Sequence, residues 1–347
     1  IERLDQATLE RVEHQHAQEL LNRVAGVFVV RGSGQEHQTA IRSPVLGGGG
    51  SCGGFLFLED GIPVRPAGFC HINQLLELDT EQARSIEVIR GPGNALFGSN
   101  ALHGIVNVLM PMPVEASKPH VASELGASRF VRGRAELPFG KESSWLAAAV
   151  HADDGGFRDD SGYRQSKVHA KHSGSFSGGD LTFGFTATDL DQDTAGFIYG
   201  EDAYRDAALS RGNPNPEAFR KASSARLYGI WTRLQGRYQL DFRPYVRHTD
   251  MRFSHFALPG QPVEENGHYS AGFVSSASFG GTRWETIAGI DAEWAEVWIK
   301  QTQAGPALGP PAQRATRPPG KHYHYEVVIL SLAPFVQTEY HLSNRWM

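Results

Sequence analysis

The spacing of hydrophobic residues along the chain changes near Pro113. Before that point, helical spacing in a charged segment is carried by Leu4, Leu9, Val12, Leu20, Leu21 and Val24. Short apolar runs of strand length follow at 27–30, 55–58, 86–89 and 105–109. The last run stops at Pro111-Met112-Pro113, which is typical of a linker. Residues 1–113 are therefore predicted to form a compact α/β domain.

Beyond Pro113 the hydrophobic period becomes two. In 181–188, Leu181, Phe183, Phe185 and Ala187 alternate with threonine and glycine, and 237–247 alternates in the same way. This alternation is typical of half-buried β-strands. Because a soluble β-sandwich would show it too, alternation alone leaves two fold classes open.

One stretch carries a feature that a soluble sandwich does not need. Its apolar face has a tryptophan at each end and consists of Trp284, Ala288, Ile290, Ala292 and Trp294. About ten residues of a strand tilted by about 40° span roughly 25 Å. That height matches the lipid-facing band of an outer-membrane barrel between its two aromatic girdles.

Connection lengths favour the barrel as well. Strands are predicted at 119–127, 129–138, 145–151, 162–173, 180–190, 223–233, 236–249, 267–279, 282–300 and 322–342. Every second connection is short, whereas long polar connections are predicted at 152–161, 191–222, 250–266 and 301–321. Short periplasmic turns and long extracellular loops alternate in this way in outer-membrane proteins. The predicted fold is a membrane β-barrel with an N-terminal α/β domain, and 114–347 is expected to be the front part of a larger barrel.

Composition excludes several classes of protein. The net charge of −5 gives no basic footprint for nucleic acid, and no apolar run is long enough for a membrane-spanning helix. The two cysteines, Cys52 and Cys70, suit one disulfide in an oxidising compartment such as the periplasm; two unpaired thiols are the alternative. With no second cysteine pair, zinc is disfavoured.

Fifteen histidines include the pairs His14/His16 and His322/His324. Such pairs can bind metal or haem, but scattered surface histidines are the favoured interpretation, and no metal site is predicted. The sequence contains no HExxH motif, no Ser-His-Asp spacing and no paired catalytic carboxylates. Neither an enzyme nor a cofactor is predicted.

Residues 86–108, IEVIRGPGNALFGSNALHGIVNV, closely resemble the plug signature of TonB-dependent receptors. Segments 20–29, 39–44 and 55–64 agree with the same family in order and spacing. The resemblance implies that 1–113 is a plug domain inside an outer-membrane β-barrel. It also implies that Glu87 and Arg90 join a polar network between plug and barrel; a solvated surface pair is the alternative.

The resemblance further implies a receptor that takes up a scarce ligand, driven by TonB in an inner-membrane complex. An iron–siderophore or similar metal chelate is the favoured small-molecule ligand, and outer-membrane lipid is the other expected partner. Coupling to TonB is inferred from the plug motifs and not from a TonB-contacting segment. A non-transporting receptor or adhesin of the same fold is the alternative function, and a soluble periplasmic β-protein is a third.

Motif position in that family places ligand contacts on two plug loops near 31–37 and 65–71. The predicted contacts are Arg31, Gln35, His37, Arg65, Phe69 and His71. Arginine and histidine would meet an anionic chelate, and Phe69 would pack against its apolar parts. The alternative is that these residues line a solvated vestibule.

Overall fold

The computed structural model describes residues 1–45, 54–69, 74–115, 118–141, 144–307 and 309–341, with Gln74 and Gln313 described by backbone only. Cys52, Cys70 and His71 lie outside the described residues, so the predicted disulfide and the predicted His71 contact stay predictions.

The first domain is the predicted α/β unit. Its elements are β1 (Glu2–Leu4), α1 (Gln6–Val12), α2 (Ala17–Leu21), β2 (Val27–Arg31), β3 (His37–Ile41), β4 (Phe55–Glu59), β5 (Ile62–Pro63), β6 (Ser85–Arg90) and β7 (Gly104–Leu109). Five strands form a sheet in the order β1-β6-β7-β4-β5, and β2 with β3 makes a separate hairpin. Leu20, Leu21 and Val24 pack with Ile86 and Val106 in its core.

The helical spacing predicted near the N-terminus is divided between three elements. Leu4 lies in β1, where it pairs with Ile86, because the long-range strand pairing overrides the local helical pattern. Asp5 then starts α1 by accepting a hydrogen bond from the Thr8 amide, and Glu13 ends it with a φ of 45°. The sequence pattern identified the buried face correctly and the continuity of the helix wrongly.

The second part of the chain is a ten-stranded antiparallel sheet in strict sequence order. Its strands are β8 (His120–Leu125), β9 (Val131–Phe139), β10 (Trp145–Asp154), β11 (Tyr163–Phe176), β12 (Gly179–Asp193), β13 (Phe219–Gln235), β14 (Tyr238–Ser254), β15 (Val263–Gly280), β16 (Trp284–Gln303) and β17 (Gly320–Tyr340). All ten predicted strands are present, and from β10 onward long and short connections alternate as predicted. The two connections before β10 are both short, and the first of them was predicted to be tight. The long connections hold the short helices α3 (Ala207–Arg211) and α4 (Pro311–Thr316).

The two faces of this sheet are reversed relative to a water-soluble protein. In β12, Phe183 and Phe185 point outward and are 51% and 41% exposed, whereas Thr182 and Thr186 face the first domain and are buried. The outward face carries exposed apolar side chains on the neighbouring strands too, among them Val168, Leu227, Val246, Ile290, Trp294 and Leu332. An apolar face this extensive is stable only against lipid or another apolar surface.

The helices of the described residues were compared with the requirements for crossing a membrane. Across the described ranges, no helix combines the length and the apolar character that crossing a bilayer would need.

Candidate ligand pocket and domain interface

The first domain packs against the polar inner face of the sheet, mainly through carboxylates that meet cations of the strands. The ion pairs are Asp60–Lys171 at 2.8 Å, Glu59–Arg226 at 2.8 Å, Glu81–Lys167 at 2.7 Å and Glu13–Arg134 at 2.9 Å. In each pair the first domain supplies the negative charge. The interface is therefore electrostatically complementary across several strands.

The turn after β4 is central to this interface. Asp60 and Gly61 adopt left-handed conformations, with φ of 49° and 78°, so that the turn projects Glu59 and Asp60 toward the sheet. Glu59 accepts a hydrogen bond from the Thr186 hydroxyl as well as pairing with Arg226. Tyr228 donates to Asp60. Asp60 also pairs with Lys171 and accepts a hydrogen bond from the Met110 amide. Both carboxylates are buried, so protein groups take the place of water around their charges.

A second group of polar contacts between the domains surrounds Glu77, which ends a 3-10 helix that spans Gln74–Glu77. Glu77 pairs with Arg65 of the first domain and accepts a hydrogen bond from Thr249 of β14. Arg226 donates to the backbone carbonyl oxygen of Glu77 at 2.8 Å, so it connects the contacts around Glu77 with those around Glu59. Arg65 is thus committed to a buried ion pair and does not line the pocket described below.

The hydrogen bonds and the ion pair that the structure shows for Glu87 and Arg90 are made within the first domain. The Asn107 amide donates to Glu87, while Arg90 donates to the Ala25 carbonyl and lies 3.4 Å from the Glu2 carboxylate. Their predicted part in the network between the domains stays a prediction. In the described residues, that network is carried by other side chains.

A cavity of about 1180 Å³ lies between the first domain and the long-loop end of the sheet. The loop joining β2 to β3, the segment before the 3-10 helix and the strands β13 to β17 all contribute to its walls. Of the predicted contacts, Arg31, His37 and Phe69 line it. The cavity thus brings together three of the predicted contact residues.

Phe69 belongs to an apolar wall of the pocket. It packs with Ala295 and Val297 of β16 and with Ile329 of β17. Its ring also meets the His268 ring edge-on, with the centroids 5.6 Å apart. This wall is one of several apolar clusters on the inner sheet face, and another contains Leu190, Ala222 and Met251.

Gln35 lies behind the pocket wall. Its backbone amide donates to the Gln192 side chain at 2.7 Å, and its own side-chain amide donates to the Gln15 carbonyl. Gln192 also donates to Glu36, so this strand residue holds the β2–β3 loop from two sides. Gln35 therefore positions the loop that carries other pocket residues.

Three buried histidines pack beneath this loop, contrary to the prediction of surface histidines at His14 and His16. His14 lies 2.9 Å from the Thr80 hydroxyl, and His16 accepts a hydrogen bond from the Gln18 amide at the start of α2. His37 accepts from the Leu75 amide. Burial lowers the pKa of His14 to about 4 and the pKa of both His16 and His37 to about 3, so all three are neutral at pH 7.

These histidines are not a metal centre. No cluster of histidine, cysteine, aspartate and glutamate suited to a metal ion occurs in the part of the chain that the structure describes. Each ring instead bonds to a backbone amide or hydroxyl, which makes the group a structural support for the pocket loop.

Sequence reasoning missed the pocket residues that the sheet contributes. Arg158, Arg220, His255, Glu264 and Tyr323 all line the cavity. They lie on separate strands and loops, and nothing in the local pattern marks them. Their inward direction follows from strand alternation, but their position opposite the β2–β3 loop does not.

The chain is similar in sequence to proteins of known family. Residues 1–105 match the family model described as the TonB-dependent receptor plug domain. Over 156 residues, 45% of this chain and 24% of the relative, the sequence is 30% identical to a vitamin B12 transporter, BtuB, of Vibrio vulnificus.

Solved structures resemble the whole chain. The FpvAI receptor in its complex with pyocin S2 superposes with a TM-score of 0.76 at 12% identity, covering 99% of this chain and 50% of that one. The unliganded ferric citrate transporter FecA gives 0.70 at 14% identity, covering 99% and 60%. At these identities the likeness establishes the fold, and the chain spans about half the length of these proteins.

Proposed function

We propose that the protein is an outer-membrane receptor for TonB-dependent active uptake, because residues 1–105 match the plug domain of TonB-dependent receptors and the fold agrees with that match. We propose further that its ligand is an iron–siderophore or a similar metal chelate. The division into a plug at 1–113 and the front part of the barrel at 114–347 belongs to the same proposal.

The observation that carries this proposal is the pocket between plug and barrel. Its volume is suited to a ligand of siderophore size, and it combines an apolar wall with cationic and polar side chains. Arg31, His37 and Phe69, placed on plug loops by the family resemblance, all line it. A ligand bound here would contact the plug and the barrel together.

The polar interface supports the transport step. Ion pairs and hydrogen bonds to carboxylates can be exchanged for bonds to water as the plug moves, whereas separating a dry apolar interface would expose its surface to water. Because the outer membrane has no ATP, the work of moving the plug has to be delivered mechanically. We assign that work to TonB on the basis of family membership.

The names of the similar proteins support a chelate without fixing which one. FecA is named as a transporter of ferric citrate and BtuB as a transporter of vitamin B12. Both ligands are metal complexes that exceed the size of common nutrients. An anionic iron chelate fits the cationic side of the pocket better than a neutral corrinoid, because Arg31, Arg158, Arg220 and Arg317 line it.

Growth and uptake of iron under iron limitation test the proposal. A strain that lacks the gene is expected to lose accumulation of one radiolabelled ferric chelate and to regain it on complementation. Unchanged accumulation of every chelate in the deletion strain would contradict a role in iron uptake.

The same assay separates uptake from the alternative, a receptor or adhesin that binds without transport. If the protein transports, collapsing the proton-motive force should leave surface binding intact and stop accumulation inside the cell. Binding with no energy-dependent accumulation would instead favour the non-transporting receptor.

A further inference from the structure

Arg220 stands apart from the other arginines of the pocket. It lies at the start of β13, faces inward and lines the cavity, yet it is only 8% exposed. Its guanidinium stacks over Phe253 at 4.4 Å, and Nη1 donates to the Met251 sulfur at 3.1 Å. These contacts fix the orientation of the group without neutralising its charge.

The hydrogen bonding of this guanidinium is incomplete. Its Nε is shielded from solvent and has no hydrogen-bond partner. Among the described residues, no carboxylate lies within ion-pair distance of the guanidinium, which faces the cavity as a whole. Two carboxylates, Glu36 and Glu264, act on it from a greater distance. A buried cation with an unused donor is costly unless an anion or water completes its bonding.

Both of those carboxylates are already engaged. Glu36 accepts hydrogen bonds from Ser33 and Gln192, and Glu264 accepts from Asn266 and Tyr323. They hold the surrounding loop and strands in place, so neither is available to turn toward Arg220 without breaking those bonds.

The remaining pocket arginines differ in this respect. Arg158 donates to the carbonyl oxygens of Gly196 and Gly212, and Arg31 donates to the Gly34 carbonyl. Arg317 donates to the side-chain oxygen of Gln301 at 3.4 Å. Their donors serve to shape loops. Arg220 is the pocket arginine whose chemistry most clearly calls for an external acceptor.

Taken with the proposed function, on which this inference rests, the geometry points to Arg220 as the residue that binds an anionic oxygen group of the ligand. The carboxylate of a carboxylate chelator or the deprotonated oxygen of a catecholate supplies such a group. The apolar wall at Phe69, Val297 and Ile329 receives the apolar part of the same molecule. The ligand is accordingly an anionic chelate with an apolar portion, and not a neutral one.

Ligand binding to the purified full-length protein in detergent tests this assignment. The probes are a ferric tris-catecholate, which is anionic, a ferric tris-hydroxamate, which is neutral, ferric citrate and cobalamin, each followed by tryptophan fluorescence quenching. Arg220→Gln removes the charge and Arg220→Lys retains it. Arg252→Gln is the matched control, because Arg252 lies on the adjacent strand but is exposed and paired with Glu265.

The expected result is that an anionic probe binds the wild type and that Arg220→Gln weakens this binding about 10- to 100-fold, the usual range for a hydrogen bond to a charged group. Arg220→Lys should lose less, and Arg252→Gln should bind like the wild type. Any binding of a neutral probe should be equal in all variants, which also shows that they are folded.

Two results overturn the inference while leaving the proposed function intact. One is an anionic probe that binds Arg220→Gln as tightly as the wild type, and the other is binding of a neutral probe alone. If no probe binds the wild-type protein, both the inference and the metal-chelate function fail.

Discussion

At the scale of single residues, the charges buried between plug and barrel dominate the energetics. Glu59 and Arg226 are both almost fully buried and each has several hydrogen-bonding partners. A buried pair of this kind adds little net stability compared with an apolar pair, but losing one partner leaves the other charge uncompensated. The pair therefore determines the position of the docked plug more than it adds to the free energy of docking.

Substitution Glu59→Gln tests this view. It should destabilise the docked plug by about 3–5 kcal/mol, because Arg226 would keep a buried charge without its counter-ion. Hydrogen exchange of the β4 peptide, measured by mass spectrometry on the intact protein, should become correspondingly faster. Asp202→Asn is the control: it breaks an exposed ion pair with Arg205 and should cost about 1 kcal/mol or less. Equal protection in both variants would contradict the role given to Glu59.

The buried histidines predict a pH dependence. Their pKa values in the folded protein lie below the ordinary value of 6.5, so the unfolded chain takes up protons that the folded chain does not. Stability is then present in full above pH 6.5 and falls as the pH is lowered, down to about pH 4 for His14 and about pH 3 for His16 and His37. The loss is up to about 1.4 kcal/mol per pH unit for each histidine.

Calorimetry of the detergent-solubilised protein between pH 7.5 and pH 5 measures this slope. His16→Asn should reduce it by the share of one histidine, since asparagine can still cap α2 by accepting from the Gln18 amide. A slope that is the same in His16→Asn and the wild type would show that His16 is not one of the groups responsible.

The sequence did not reveal the burial of these histidines for a physical reason. His14 is buried by contact with Thr80, which is 66 residues away, and Glu59 meets Thr186 at a separation of 127 residues. No local pattern records such contacts. The loops near 31–37 and 65–71 were selected only because the plug motifs resemble a known family, and Arg220 carried no signal at all.

At the scale of the element, strand alternation was the most informative part of the sequence. Successive side chains of a strand point to opposite faces of the sheet. In β12, Phe183 and Phe185 therefore mark one face, and Thr182 and Thr186 mark the other. The number and order of the strands followed from this pattern. Strand ends were less certain, because β10 continues to Asp154 and β13 begins at Phe219 with polar residues that resemble loop sequence.

The outward face of β12 offers a direct test of lipid contact. Phe185→Arg should destabilise the folded protein in lipid vesicles by about 2–4 kcal/mol, because it places a charge in the apolar band of the bilayer. Tyr199→Arg is the control, since Tyr199 is an exposed aromatic in the long connection before β13, and it should change stability by about 0.5 kcal/mol or less. Equal denaturant midpoints for the two variants would mean that Phe185 does not face lipid.

At the scale of the whole molecule, the plug has a core of its own and meets the sheet through an interface that is partly polar and partly apolar. The plug core is formed by its own residues, including Leu20, Ile86 and Val106. Contacts across to the sheet comprise buried ion pairs and hydrogen bonds together with apolar contacts of Ile62, Phe69 and Leu76. This division explains why the family resemblance was strong in the plug, whose buried motifs are specific, and weak in the sheet, where many apolar residues satisfy an outward position equally well.

The cationic side of that interface has a consequence for permeation. Lys167, Lys171 and Arg226 project from the sheet toward the space that the plug occupies, and without the plug their counter-ions would be gone. Fixed positive charges along a water-filled pore favour the passage of anions. A variant of the full-length protein that lacks residues 1–113 should therefore conduct in planar bilayers and prefer chloride to potassium, as its reversal potential in a salt gradient would report. A preference for potassium would show that the lumen is governed by charges other than these three.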